Sequence, residues 1–499
     1  MKKLSKYIET KPTIVYFCIF ICAVVMSFTA TNNPFLIGNT GIDSSVFNYV
    51  GKVIRNGGMP YRDTFDHKGP LIYLIDALGQ LIHEHLGIWF IELTVIFMIF
   101  ILAYKIAKFT GCNNTRALFV VLACMLSLAL YFEGGNFVEE YACLFIMLQL
   151  YIFILFFYDR EISAFHLIIS GICFGAVCLL RINMVALWIV MCIGVVIKCI
   201  KDKKPQMLIR FIIWFLTGVC IIALPVIIWL IAGNAFKPFL EDYFSFNFLY
   251  SSYSENGNLI NIIKATGIFI LTPPVLLSIL ILAFVGFKDR KLFDWLCLAA
   301  LFLSIIMSCM AGQNYLHYGM IFCPFVVYAF SLALTSEHFL QLKIFKHKVK
   351  LLFGMVITLV LCIIGLTFAG FPVKALIDKV TGMYRTEYFS DSKAIADIVV
   401  ANTDENDKII VLCNNDIIYL LSDRMSSSKY SYQIPILKID PYKKQEFISD
   451  IEKFDTEIIV TGQSSSVKPI IEDIIAKYYT LISTYDQIEI YKKTKTPPS

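Results

Sequence analysis

Gly58-Met59-Pro60-Tyr61-Arg62-Asp63-Thr64-Phe65-Asp66-His67-Lys68-Gly69-Pro70 is a polar, glycine- and proline-marked segment set between apolar stretches. Just before it, Asp43 to Asn56 carries Val46, Tyr49, Val50 and Val53 at helical spacing, and the Gly57-Gly58-Met59-Pro60 turn ends this amphipathic stretch. Just after it, Leu71 to Leu86 is apolar but interrupted by Asp76, Gln80, His83 and Glu84. That pattern suits a helix lying at a membrane interface better than one crossing it. Farther out, the chain turns into runs of about 20 apolar residues, the length that crosses about 30 Å of hydrocarbon. The first run, Pro12 to about Ala30, follows Lys2, Lys3, Lys6 and Lys11. Its length, the want of a small-x-small cleavage pattern and the many runs after it predict an uncleaved helix rather than a signal peptide.

Composition agrees. Of 499 residues, 58% are hydrophobic and only 16% charged, against about 25% charged in soluble domains. Backbone polar groups in lipid must pair within their own segment, so the apolar runs are helices. The net charge of +5 does not point to nucleic acid, because Lys and Arg cluster at short intervals between the runs as topology signals do. Most of the 15 cysteines, among them Cys18, Cys22, Cys173, Cys178 and Cys309, lie inside apolar runs as small hydrophobes, without metal-ligand spacing to His.

About eleven spans are expected, beginning near Pro12, Ile88, Arg116, Phe137, Ala164, Met184, Leu208, Ile262, Leu292, Tyr318 and Leu351. With the N-terminus cytoplasmic, the inside loops hold Lys105 and Lys108, Asp159-Arg160, Lys198 to Lys204, Lys288 to Lys291, and Lys343 to Lys350. Every dense basic cluster then falls inside, as the positive-inside rule requires. The expected organisation is a transmembrane domain over 1–373, with an external loop at 31–87, and an extracytoplasmic α/β domain over 374–499. In the latter, helices are expected at 391–401, 442–454 and 469–479 and strands at 408–412, 457–460 and 487–491. Gly462-Gln463-Ser464 reads as a turn, and no G-x-G-x-x-G, Walker A or zinc motif occurs.

Under this topology several polar segments reach one membrane face: the first loop, Glu133 to Glu140, Arg181-Ile182-Asn183, and Gln313 to Tyr318. Ionisable groups at membrane depth are costly and usually functional. A carboxylate there could take a proton from an acceptor hydroxyl, and cations could stabilise a departing phosphate. Lys68, Arg181 and His317 suit the second role. Each residue also has a plain structural reading. Asp43 could cap a helix, Lys68 could pair with Asp66, Glu139 or Glu140 could cap a span, and Arg181 could snorkel. His317 could be a packed core histidine, while Tyr61 and Tyr318 could be interface-belt aromatics.

An Asp soon after the first span, an amphipathic helix, then G-x-P-Y and D-x-K-G-P resembles the first loop of the GT-C glycosyltransferases. The likeness is to the dolichyl- and polyprenyl-phosphate-sugar group that includes protein O-mannosyltransferases and the lipid A aminoarabinose transferase. It extends to the span order, to His317-Tyr318 and to Ile418-Tyr419-Leu420-Leu421-Ser422-Asp423-Arg424, similar to the "iYyLsgR" segment of bacterial members. The resemblance implies Asp43 as base and Lys68 near the carrier phosphate. Ser44 stands where protein O-mannosyltransferases carry Glu after the Asp, which speaks against a protein acceptor.

The expectation is therefore a polytopic α-helical, GT-C-like membrane enzyme of the cytoplasmic membrane. It would transfer a hexosyl or pentosyl group, with inversion, from a polyprenyl-phosphate sugar to an extracytoplasmic glycan, lipid or protein. Asp43 would be the base, and Lys68, Arg181 and His317 would bind phosphate. Asp66, His67, Glu139, Glu140, Tyr61 and Tyr318 would support the site. No cofactor is required, though a divalent metal could assist. The alternatives are a transporter or flippase for a lipid-linked or anionic substrate, and a scaffold or polysaccharide polymerase. No internal repeat of the transporter kind is evident.

Overall fold

The computed structural model describes residues 9–33, 41–83, 86–253, 259–289, 291–335, 387–412, 416–434, 436–463 and 465–494. Packing divides the chain into two compact units, 1–30 with 90–226 and 254–377, and 31–89 with 227–253 and 378–499.

The first unit is helical. Ten of the expected span starts coincide with apolar helices, beginning with Pro12–Ser27 and ending with Cys323–Thr335. Among the described residues, five helices are long and apolar enough to cross a membrane. A sixth span results if Leu259–Leu271 and Pro273–Lys288, bent by 78°, count together. The start near Leu351 and the basic cluster at Lys343 to Lys350 lie outside the described residues. Between Asn114–Tyr131 and Val138–Phe157 the chain reverses through Glu133, Gly134, Gly135 and Asn136, all at positive φ. Gly135 is required there, because a Cβ at its φ of +76° would overlap Phe132 and the carboxylate of Glu92. Arg181, extended at φ −164°, separates Ala164–Leu180 from a short 3₁₀ turn, Ile182–Met184.

The second unit is built on a five-stranded mixed sheet of order β2-β1-β3-β5-β4. Its strands are β1 (Lys408–Val411), β2 (Met425–Ser426), β3 (Thr456–Gly462), β4 (Tyr479–Tyr485) and β5 (Ile488–Lys493). β1 runs parallel to β2 and β3, whereas β5 runs antiparallel to β3 and β4. Side chains alternate across the strands, so Ile409, Val411, Ile458 and Val460 share one core and Ile410, Leu412 and Ile459 the other. A sheet covered on both faces reads as continuous apolar runs, as here. β2 and β4 were not expected from the sequence. Met425–Ser426 is too short to show a period, and Tyr479 ends a helix while beginning a strand.

The first loop completes both cores. Tyr49 and Val53, on the amphipathic helix Ile42–Arg55, join the first core, and Phe65 joins the second. A fully buried side chain of this size contributes on the order of 2–3 kcal/mol, so the loop is part of the sheet's hydrophobic architecture. This is why the packing boundary departs from a division at 373/374. Helix Pro70–Ile82 packs beside Ile42–Arg55, where Gln80 donates to the Asn48 carbonyl at 2.7 Å. Gly51 permits the close approach, since a Cβ there would lie 2.9 Å from the Ala77 nitrogen. Asp76 and Gln80 are buried while Leu78, Leu81 and Ile82 are exposed, the polarity of an interfacial helix.

Candidate active site

In the sheet-bearing unit, the D-x-K-G-P segment is held by hydrogen bonds from several parts of the chain. Asp66 is buried, and its Oδ1 accepts from the His67 N–H (2.7 Å) and the Tyr432 hydroxyl (2.8 Å). Its Oδ2 accepts from the Tyr73 hydroxyl at 2.6 Å. Burial pushes the Asp66 carboxyl up, and the neighbouring Lys68 charge and these donors oppose the shift. Tyr61 donates to the Lys68 carbonyl at 2.7 Å, and the Asn247 amide donates to the His67 carbonyl at 2.7 Å. From this anchored backbone the half-buried Lys68 ammonium donates to His67 Nε2 at 2.9 Å. An ammonium only donates, so Nε2 is the unprotonated nitrogen of that imidazole.

Asp43 lies exposed in the first turn of Ile42–Arg55. Gly41 is the N-cap and no side chain caps the helix, so Asp43 is not the cap that its position suggested. Its charge reaches Tyr432, whose hydroxyl is pushed up by burial first and then by Asp66, Asp416 and Asp43.

In the helical unit a second cluster forms. Arg181 donates to the buried Glu139 at 2.7 Å and to the Tyr318 hydroxyl at 3.2 Å, with its guanidinium 4.6 Å from the Tyr318 ring centre. Arginine has five N–H donors, so three remain uncommitted among the described residues. His317 gives its backbone N–H (2.9 Å) and Nδ1 (2.8 Å) to Glu133, and it stacks on Phe137 at 4.2 Å. The His317 hydrogen bond holds the Glu133 carboxyl below its ordinary value. Glu140 accepts from the Asn136 N–H at 2.8 Å, which supports the reversal before its own helix.

Several expectations change. Tyr61 is no interface-belt aromatic, because it is wholly buried and holds the Lys68 backbone. Arg181 does not snorkel, because a buried carboxylate fixes it. Asp66 is not the surface charge that its position suggested, since it is buried and its oxygens accept from hydroxyls and an amide. The units group the candidates separately: Asp43, Asp66, His67, Lys68 and Tyr61 in one, Glu139, Glu140, Arg181, His317 and Tyr318 in the other. Sequence reasoning missed Tyr73, Tyr432 and the pairing of Glu133. Tyr73 stands seven residues past Asp66 but across a Gly-Pro helix start, and Tyr432 is 366 residues away. Among the described residues no group of three or more His, Cys, Asp or Glu side chains is placed to hold a metal ion.

Comparison with solved structures returns the fold expected from the first loop. The structure is similar to ArnT from Cupriavidus metallidurans bound to undecaprenyl phosphate, with a TM-score of 0.62 and 10% identity, covering 98% of this chain and 99% of that one. Against the apo state of the same protein the TM-score is 0.57 at 11% identity, covering 90% of this chain and 92% of that one. The archaeal oligosaccharyltransferase AglB from Archaeoglobus fulgidus, in complex with an inhibitory peptide and a dolichol-phosphate, gives 0.53 at 12% identity. That match covers 96% of this chain and 74% of AglB. The chain is a multi-pass, membrane-type helical protein with the GT-C fold. No curated protein matches it in sequence. The family model of the competence-induced protein Ccs4 N-terminal domain matches residues 5–368, and the chain belongs to that family.

Proposed function

We propose that the protein is an inverting glycosyltransferase that moves one sugar from a polyprenyl-phosphate carrier to an acceptor outside the cytoplasmic membrane. The observation that carries this reading is the Lys68–His67 pair, set 2.9 Å apart on a backbone fixed by Asp66, Tyr61 and Asn247. Such a preorganised cation suits a phosphate whose negative charge grows as it leaves. The likeness in fold to a protein solved with undecaprenyl phosphate supports it.

In the reaction, the acceptor oxygen bonds to the anomeric carbon from the face opposite the phosphate as the carbon–phosphate-oxygen bond breaks. The hydroxyl proton passes to Asp43, which is exposed and so can meet an acceptor. Polyprenyl phosphate leaves with the bonding electrons, stabilised by Lys68. Because the lipid phosphate is an adequate leaving group, the step needs no nucleotide pocket and no metal. This reading includes about eleven spans, a cytoplasmic N-terminus and an extracytoplasmic α/β segment that shapes the acceptor entrance.

The test is transfer from radiolabelled polyprenyl-phosphate sugars in proteoliposomes, comparing the wild type with Asp43→Asn. Loss of turnover by roughly 10²–10⁴-fold with donor binding intact is expected for a general base. Unchanged turnover would remove Asp43 from the mechanism but leave the enzyme class. If no donor is consumed with any acceptor extract, the transporter reading takes over, for which the broken helix at Leu271–Pro273 is the relevant feature.

A further inference from the structure

The stretch 426–433, which begins at the end of β2, is tied down at several points. The Ser426 N–H donates to the Tyr49 hydroxyl (2.8 Å), and Ser428 Oγ donates to Asp450 (2.8 Å). The Tyr430 hydroxyl donates to Glu446, and Ser431 Oγ donates to the buried Asp416 at 2.6 Å. The Gln433 amide donates to the Val411 carbonyl at 3.1 Å, which fastens the loop to the end of β1. A stretch held at so many points presents Tyr432 in one orientation. That hydroxyl meets Asp66 at 2.8 Å. One residue before Asp66 a second tie joins the same two stretches, with the Phe65 N–H donating to the Lys429 carbonyl at 2.8 Å.

We infer that Tyr432 is a positioning residue of the carrier-phosphate site. Through Asp66 it fixes the segment that carries His67 and Lys68, so the C-terminal sheet segment completes the phosphate anchor. The inference rests on the carrier-phosphate reading above. Without the Tyr432 hydroxyl, Asp66 keeps only Tyr73 and the His67 N–H as hydrogen-bond donors among the described residues. The next two residues then lose part of the constraint that aims the ammonium. Small misplacements of a binding group are costly, because preorganisation is what spares binding its ordering entropy.

The experiment measures binding of undecaprenyl phosphate to detergent-purified full-length protein, alongside thermal midpoints. Tyr432→Phe is expected to weaken binding about tenfold, equivalent to about 1.4 kcal/mol, with little change in midpoint. Tyr430→Phe is the matched control, because it removes a hydroxyl from the same loop that bonds Glu446 instead of Asp66. It is expected to leave binding within about twofold, well under 1 kcal/mol. Should Tyr432→Phe fail to fold, Asp66→Asn, which keeps the shape of the acceptor and removes its charge, carries the same expected loss. Equal binding by Tyr432→Phe and the wild type overturns the inference while the carrier reading stands. Equal weakening by both tyrosine variants overturns it too, by assigning the effect to the loop's stability. Absence of binding by the wild type itself overturns the carrier reading and this inference together.

Discussion

Four carboxylates, two from each unit, meet different partners. In the helical unit Glu139 is held by the Arg181 guanidinium and Glu133 by the His317 ring and backbone. In the sheet-bearing unit Asp66 and Asp416 receive hydrogen bonds from hydroxyls, those of Tyr73, Tyr432 and Ser431, with one backbone amide added for Asp66. The consequence shows in the direction of titration. Glu133 is held below its ordinary value by its partner, whereas burial pushes Asp66 up and Asp416 up to about 7. Hydroxyls satisfy a carboxylate's lone pairs without cancelling its charge. Asp66 thus serves as a hydrogen-bonding anchor for the backbone that carries the Lys68–His67 pair and leaves the ammonium without a carboxylate partner on Asp66's own oxygens. The helical unit spends its arginine on neutralising a carboxylate. Of the two clusters, the one in the first loop is the better prepared for an incoming anion.

The largest expected effect breaks the helical side of this contrast. Arg181→Leu leaves Glu139 buried without its cation, and removing one partner of a buried pair costs about 3–5 kcal/mol. Loss of folded protein in detergent is the readout, and Glu139→Gln in the same chain should recover much of it. If Arg181→Leu folds normally, Glu139 is not the charged partner described. The next effect belongs to Asp416. Its folded value of about 7 exceeds the unfolded carboxylate value, so the native state binds the extra proton. Stability contributed by that proton is present at low pH and is lost as pH rises from roughly 4 to 7. Asp416→Asn removes the titration, and its stability should gain on the wild type across that window, with a ceiling of about 4 kcal/mol. Parallel pH profiles of the melting midpoint would show that Asp416 does not ionise against a burial penalty.

How far these features could be read from the sequence differs by type of interaction. The amphipathic period of Val46, Tyr49, Val50 and Val53 is local, and all four are buried as the spacing predicts. The apolar runs were legible for the same reason, since each helix satisfies its own backbone. Strands β1, β3 and β5 were visible as β-branched runs. The division into units was not, because it depends on Tyr49, Val53 and Phe65 entering cores made largely by residues more than 300 positions away. Within the candidate site, Asp66, His67 and Lys68 declared themselves as a motif, but Tyr432 lies in a stretch of Ser and Tyr with no period, where Lys429 is the one charge between 426 and 433. The role of Tyr432 exists only through a tertiary hydrogen bond. Arg181 and Glu139 were both singled out from sequence, yet their pairing across 42 positions was not.

A smaller effect sharpens the hydroxyl side. Tyr73→Phe withdraws one neutral donor from a buried carboxylate, a loss of about 1.5–3 kcal/mol for a hydrogen bond to a charged group. Asp66 is already raised by burial, and losing this donor raises it further. The wild type should therefore exceed Tyr73→Phe by more at pH 8 than at pH 4, measured as the difference in melting midpoints. A pH-independent difference would mean that the Tyr73 hydroxyl contributes through packing or through the Lys68 carbonyl, its second neighbour at 3.2 Å.

The smallest effect tests whether charge matters at all in the helical cluster's exposed half. Glu133 is 41% exposed, so solvent screens its interaction with His317, and exposed pairs contribute roughly 0.2–1 kcal/mol. Glu133→Gln is the informative substitution, because the amide oxygen can still accept from both the His317 N–H and its ring. Only the charge is removed. A carboxylate held low contributes stability that is present above its unfolded value and disappears as pH falls through its folded value. The wild type should thus lead Glu133→Gln slightly at pH 7 and lose that lead below roughly pH 4. A lead that persists in acid would belong to hydrogen-bond geometry instead, since a protonated carboxyl and an amide carry the same charge. The contact of Glu133 with His317 would then be one of hydrogen bonding alone, and the contrast among the four carboxylates would rest on Arg181.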